Sequence, residues 1–291
     1  MNTLIRFTLI VATLLTFVGC GNHSTYSDDN TIYVTIAPIA EIIEGITGED
    51  FPVEVLVPAG ASPETFEPTP RQIIALNTSQ AIFATGLIDF ENSLTSRIES
   101  SDKIINLSHN IELMAGSCSH NHNHNHNHCQ HAHGIDPHIW TSPRSLITMA
   151  DNAYHAIHQS YPDSIKYEQN YLALRERLQQ LDSECAKACE QSVLPCFVIF
   201  HPALTYFARD YGIKQIAIED EGKEPSARRL ADIIELARKS GVKRIFYQSQ
   251  FPQSVVEIIA NDIGAEATAI DPLAKNNIEN IRRITQLITQ E

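Results

Sequence analysis

Four side chains with metal-binding chemistry stand beside proline in this 291-residue chain, three just after a short apolar run or its loop and one just before a helix start. They are Glu64 in GASPETFEPTP, His138 in GIDPHIW, His201 in FVIFHP and Asp271 in ATAIDP. Proline fixes its own backbone angle, which stiffens a loop and lowers the entropy lost in holding a ligand. Two imidazoles and two carboxylates make a four-ligand set for a divalent transition metal, with carboxylate charge offsetting the cation. Read singly, Glu64 or Asp271 is more simply a surface or capping group, and His201 equally well a hydrogen-bonded core histidine. The joint pattern is what points to a metal.

A second concentration of ligands lies in SCSHNHNHNHNHCQHAH, residues 117–133. It holds seven of the chain's 13 histidines: His120, His122, His124, His126, His128, His131 and His133. Alternating polar residues with no apolar partner cannot pack, so a mobile loop is expected. Neutral imidazoles suit zinc, copper, nickel and iron far better than manganese. The loop therefore reads as an auxiliary metal collector, against the plainer reading of a solvated low-complexity insert. Cys118 and Cys129 join its ligands if reduced and close it if paired.

The elements that would position these residues alternate strand and helix. TIYVTIAP (31–38), VEVLVP (53–58), AIFATG (81–86) and KIINLS (103–108) read as strands, with a helix over 39–48 and another begun by the capping box at Thr69-Pro70-Arg71-Gln72. Residues 144–191 read as mostly helical, broken once at Pro162 and entered through an N-cap at Ser142. After them, CFVIFHP, IKQIAIED, VKRIFYQSQ and AEATAIDP alternate with helices in the same way. Such alternation implies parallel sheets, in which ligands bind outside the carboxyl ends of strands. That rule selects Glu64, His201 and Asp271, with His138 just before a helix start. The expected fold is α/β: two α/β lobes with parallel sheets joined by a long helical connector, and the metal site in the interlobe cleft. The divisions are 31–142, 143–191 and 192–291.

Residues 1–20, MNTLIRFTLIVATLLTFVGC, read as a secretory signal: one basic residue, an apolar run too short for a convincing membrane span, then Gly19-Cys20. A small residue before cysteine resembles the bacterial lipoprotein signal, in which Cys20 is lipidated, leaving 21–30 as a polar tether. This predicts an exported protein, lipid-anchored in the bacterial cell envelope. An exported setting permits disulfides, but spacing leaves the pairing of Cys185, Cys189 and Cys196 open. The formal charge of −14 argues against nucleic acid and anionic membrane surfaces as partners, and is compatible with handling cations.

GASPETFEPTP, DPHIWTSP, FHPALTYFARDYGI and AIDPLA, in that order, resemble the metal-binding proteins of zinc and manganese ABC uptake systems, from about Ile32 to the C-terminus. The resemblance implies a stiff long helix between the lobes, a metal held at Glu64, His138, His201 and Asp271, and delivery to a membrane permease. The family's first motif normally has histidine where this chain has Glu64. Zinc-type members tend toward three histidines and manganese-type members toward two histidines and two carboxylates. His201 fits the zinc-type third motif, and a histidine-rich loop is a zinc-type feature. The expected function is capture of Zn2+ for an ABC permease, with Mn2+ or iron as the alternative cargo. A metal buffer or adhesin and a zinc hydrolase are the competing classes. The His-Glu-x-x-His signature of metalloproteases is absent, so no enzyme activity is expected.

Overall fold

The computed structural model describes residues 30–116, 134–219, 225–251 and 253–290. Cys20, the signal, the tether up to residue 29, Cys118, Cys129 and the seven loop histidines lie outside the described residues.

Two four-stranded sheets, both wholly parallel, organise the chain. The first has the order β2-β1-β3-β4, from β1 (Ile32–Val34), β2 (Val53–Val55), β3 (Ala81–Ala84) and β4 (Ile104–Asn106). The second repeats it as β6-β5-β7-β8, from β5 (Cys196–Ile199), β6 (Lys214–Ala217), β7 (Arg244–Gln248) and β8 (Glu266–Ile270). Each strand falls inside an apolar run read from the sequence and is shorter than that run. The remaining residues turn outward at the carboxyl end, where they are free to carry chemistry.

The helices follow local signals closely. α1 (Ala37–Thr47) stops at Gly48, whose φ of 65° is the left-handed region glycine enters without a Cβ penalty. At the head of α2 (Pro70–Thr78), Gln72 N donates to Thr69 Oγ1 (3.3 Å) and Thr69 N donates back to Gln72 Oε1 (2.9 Å), the capping box that the sequence predicts. Gln72 Nε2 adds a bond to Leu56 O (3.0 Å), fastening α2 under the loop that carries Glu64. α3 (Asp89–Leu94) has no counterpart in the sequence reading. It is too short for a helical period, and it is held by buried Glu91, whose carboxylate accepts from Thr85 N (3.1 Å), Leu87 N (3.1 Å) and Ile88 N (3.2 Å).

The expected connector is two helices, α4 (Pro143–Ser160) and α5 (Ile165–Gln191), which pack side by side around the break at Pro162. α5 runs 27 residues, about 40 Å at 1.5 Å per residue, and touches both halves of the chain. Near its start Leu174 packs over Gly45 of α1, where an added Cβ would come within 3.1 Å of it. Near its end Cys185 Sγ lies 3.2 Å from Thr285 Oγ1 on α9 (Asn277–Thr289). Accordingly one continuous cluster of buried apolar residues runs from Ile39 and Ile43 through Leu174 and Leu181 to Phe197, Ile281 and Ile288. A second, smaller cluster fills the far face of the second sheet beneath α7 (Ala227–Lys239) and α8 (Gln253–Ile263). α6 (Thr205–Tyr211), closed by Gly212 in the left-handed conformation, follows His201 and completes the set.

Candidate metal centre

His201 sits two residues beyond β5, an inner strand of its sheet, and is buried. His138 comes from the other half, at the end of the chain that returns from β4, and is also buried. Between them Glu64 enters on a single helical turn, Pro63–Thr65, in the loop after β2. Its side chain is 41% exposed, so the carboxylate forms the mouth of the site and the imidazoles its floor.

The three donors point at one spot. His201 Nε2 is 3.2 Å from His138 Nε2 and 3.3 Å from Glu64 Oε1, and one ligand atom from each residue lies within 4.8 Å of the others. Bonds of about 2.0–2.1 Å to a tetrahedral ion place neighbouring ligand atoms roughly 3.3 Å apart, and the two separations measured from His201 match that spacing. The surrounding cleft is lined by Pro63, Ile88, Trp140, Phe251 and Leu273 beside the three donors, so its wall is largely apolar.

Behind each imidazole stands a carboxylate. His138 Nδ1 donates to Asp136 Oδ1 (2.8 Å), and His201 Nδ1 donates to Glu219 Oε1 (2.8 Å). A carboxylate can only accept, so both rings carry their proton on Nδ1 and turn the Nε2 lone pair toward the shared spot when neutral. Asp136 Oδ1 also accepts from His138 N (2.9 Å), which locks the Asp-Pro-His turn. Phe251 stacks on the His201 ring at 4.9 Å between centroids, and Trp140 packs on His138 at 5.1 Å. Burial pushes the His201 pKa down, but hydrogen bonds and charge from Glu219 and Glu64 outweigh it and raise the value to about 9. Burial raises the Glu64 carboxyl, yet His201 and then His138 bring it below its usual range. For Asp136 the same opposition, burial against His138, also ends below the usual range.

The frame extends outward from there. Tyr206, buried on α6, donates its hydroxyl to Asp136 O (2.7 Å) and accepts from Met114 N (3.1 Å). Trp140 Nε1 donates to Pro272 O (2.9 Å), and Asn277 Nδ2 donates to Trp140 O (2.8 Å), so the His138 segment is bolted to the second half. Ser142, expected to cap α4 with its side chain, makes no such bond. Its hydroxyl donates to Asp210 on α6, a stronger charged acceptor within reach.

Of the four residues expected to bind metal, the structure brings Glu64, His138 and His201 together and leaves Asp271 out. Asp271 is exposed, its Oδ1 accepts from Leu273 N (3.0 Å), and it faces a separate cavity with Glu54 and Lys275. β8 is an edge strand, and a carboxylate two residues before a free N–H is captured locally. Asp136, Glu219 and Phe251 are absent from the sequence expectation. Glu219 follows β6 and was open to the strand-end rule; Asp136 was hidden as the turn residue of Asp-Pro-His.

Residues 32–290 match the family described as zinc-uptake complex component A, periplasmic. The chain belongs to that family. The Bacillus subtilis high-affinity zinc uptake system protein ZnuA is 30% identical over 278 residues, covering 91% of this chain and 87% of that protein. The zinc-binding lipoprotein AdcA of Streptococcus pneumoniae (strain ATCC BAA-255 / R6) is 28% identical over 277 residues, covering 92% of this chain and 55% of its own. The chain thus spans about half the length of its AdcA relatives. Among solved structures, a crystal structure of ZnuA superposes with a TM-score of 0.79 at 32% identity, over 88% of this chain and 96% of that one. The Zn(II)-bound ZnuA-like domain of Streptococcus pneumoniae AdcA gives 0.72 at 25% identity, over 90% and 100%. The family's two-sheet α/β architecture is the one described above.

Proposed function

We propose that this chain captures a zinc ion outside the cytoplasm through Glu64, His138 and His201 and hands it to an ABC permease, without catalysing a reaction. The observation that carries the reading is the pair of donor separations, 3.2 and 3.3 Å, held by buried imidazoles whose other nitrogens are fixed by carboxylates. Two imidazoles and one carboxylate suit zinc. Relatives named as zinc-binding proteins, and a Zn(II)-bound structural neighbour, support the choice of cargo. We read the lipidated Cys20 as the anchor in the cell envelope, the histidine loop as a collector that raises local metal concentration, and the divisions at 31–142, 143–191 and 192–291 as lobes and connector.

Calorimetric titration tests the reading on the chain beginning at Cys20 and on the same chain lacking 117–133. The expected result is one tight zinc site surviving the deletion and lost in His201→Ala. Loss of all tight binding with the loop would overturn the cleft assignment. Competition by manganese settles the cargo: zinc displaced stoichiometrically by equimolar Mn2+ would reassign it, a result that Glu64 in place of the usual histidine makes worth seeking.

A further inference from the structure

Three protein donors leave an ion that prefers four with one position to fill. Asp271 does not fill it in this structure. Gln248, the last residue of β7, is buried and lines the same cleft as Glu64, His138 and His201. Its Nε2 donates to His201 O (2.9 Å). A carbonyl can only accept, so this bond fixes which end of the amide is nitrogen and leaves Oε1 as the free end. Oε1 has no hydrogen-bond partner. Of the buried side-chain polar atoms without a partner among the described residues, Gln248 Oε1 is the one whose residue lines the metal cleft.

A buried amide oxygen left without a partner is costly, and native interiors rarely tolerate it unless a ligand or water completes it. We infer that Gln248 Oε1 completes the coordination sphere of the cargo ion, as a direct oxygen ligand or as the acceptor that holds a metal-bound water. The inference rests on the zinc-capture reading. Glu64 already lowers the charge of the bound cation by one, and a neutral oxygen completes the sphere without a further carboxylate. One side chain also links two functions, because its nitrogen holds the backbone of His201 while its oxygen meets the ion.

Two substitutions separate these roles. Gln248→Met has similar length but neither donor nor acceptor oxygen. Gln248→Glu keeps an oxygen at the same reach and, when ionised, cannot donate to His201 O. Zinc affinity by competition with a chromophoric chelator, and the visible absorption of the cobalt(II)-loaded protein, are measured for both variants and the parent. Expected are a loss of about tenfold or more for Gln248→Met, the scale of losses around metal sites, a changed cobalt spectrum, and affinity retained or increased in Gln248→Glu. Equal losses in both variants with an unchanged cobalt spectrum would show that only the bond to His201 matters and would overturn the inference. Unchanged affinity and spectrum in Gln248→Met would overturn it equally. Failure of the parent chain to bind zinc, or a His201→Ala variant that still binds it, would instead remove the underlying capture reading.

Discussion

In the metal-free chain His201 is an imidazolium at neutral pH, because its pKa is raised from 6.5 to about 9 by Glu219 and Glu64 against the opposing effect of burial. An ion that takes Nε2 must displace that proton. Zinc affinity is therefore expected to climb as the pH rises toward about 9 and to level beyond it, with proton release on binding near neutrality. Calorimetry in buffers of different ionisation enthalpy reads the released proton directly. The stability of the metal-free fold moves the other way. A folded pKa above the unfolded one gives stability that is fully present below pH 6.5 and lost as the pH passes about 9. The gap in Tm between the parent and His201→Gln, both free of metal, should shrink over that window. The carboxylates behind the rings have their own test. Asp136→Asn and Glu219→Gln keep the shape but remove the charge that orients each imidazole, and each should weaken zinc about 10–100-fold in chelator competition.

At the scale of elements, the ligands depend on how α6 and the strand ends are pinned. Tyr206→Phe removes the hydroxyl that joins Met114 N to Asp136 O and leaves the buried carbonyl and the half-buried N–H short of a partner. The expected cost is about 1–3 kcal/mol in denaturant unfolding, with weaker zinc binding because Asp136 loses its anchor. Gly86 follows β3 with φ 74°, and a Cβ there would collide with the Asn106 carboxamide, so Gly86→Ala should destabilise by roughly 1–3 kcal/mol. This is also the scale at which sequence and structure part. Strand runs, the Thr69 capping box and the glycine stops were legible because they depend on neighbours a few residues apart. His138 was legible because it stands just before a helix start, and Glu64 and His201 because strand ends in parallel sheets gather on one side. Asp271 obeyed the same rule and still went elsewhere, since an edge strand and a nearby free N–H decide its fate. The hydroxyl of Ser142 and the carboxylate of Glu91 found partners that spacing along the chain could not single out among several polar neighbours.

Across the whole molecule, α5 denies the two sheets independent existence. Leu174 and Cys185 lie on one helix yet pack against α1 and α9, and a single apolar cluster passes between them. Leu174→Ala should cost about 2–5 kcal/mol and lower a single unfolding transition, not split it into two, as followed by circular dichroism and tryptophan fluorescence together. The bonds from Trp140 to Pro272 and from Asn277 to Trp140 add to this bracing, so small-angle scattering should show little change in the radius of gyration when zinc binds.

The repeated strand order, β2-β1-β3-β4 and β6-β5-β7-β8, has a further consequence. Each half is the same topological unit, but they contribute unlike parts: Glu64 and His138 from one, His201 from the other. Neither half holds all three of the clustered donors. On the zinc-capture reading proposed above, occupancy of this cluster reports that both halves are folded and in place, which a nascent or clipped chain with only one half cannot match.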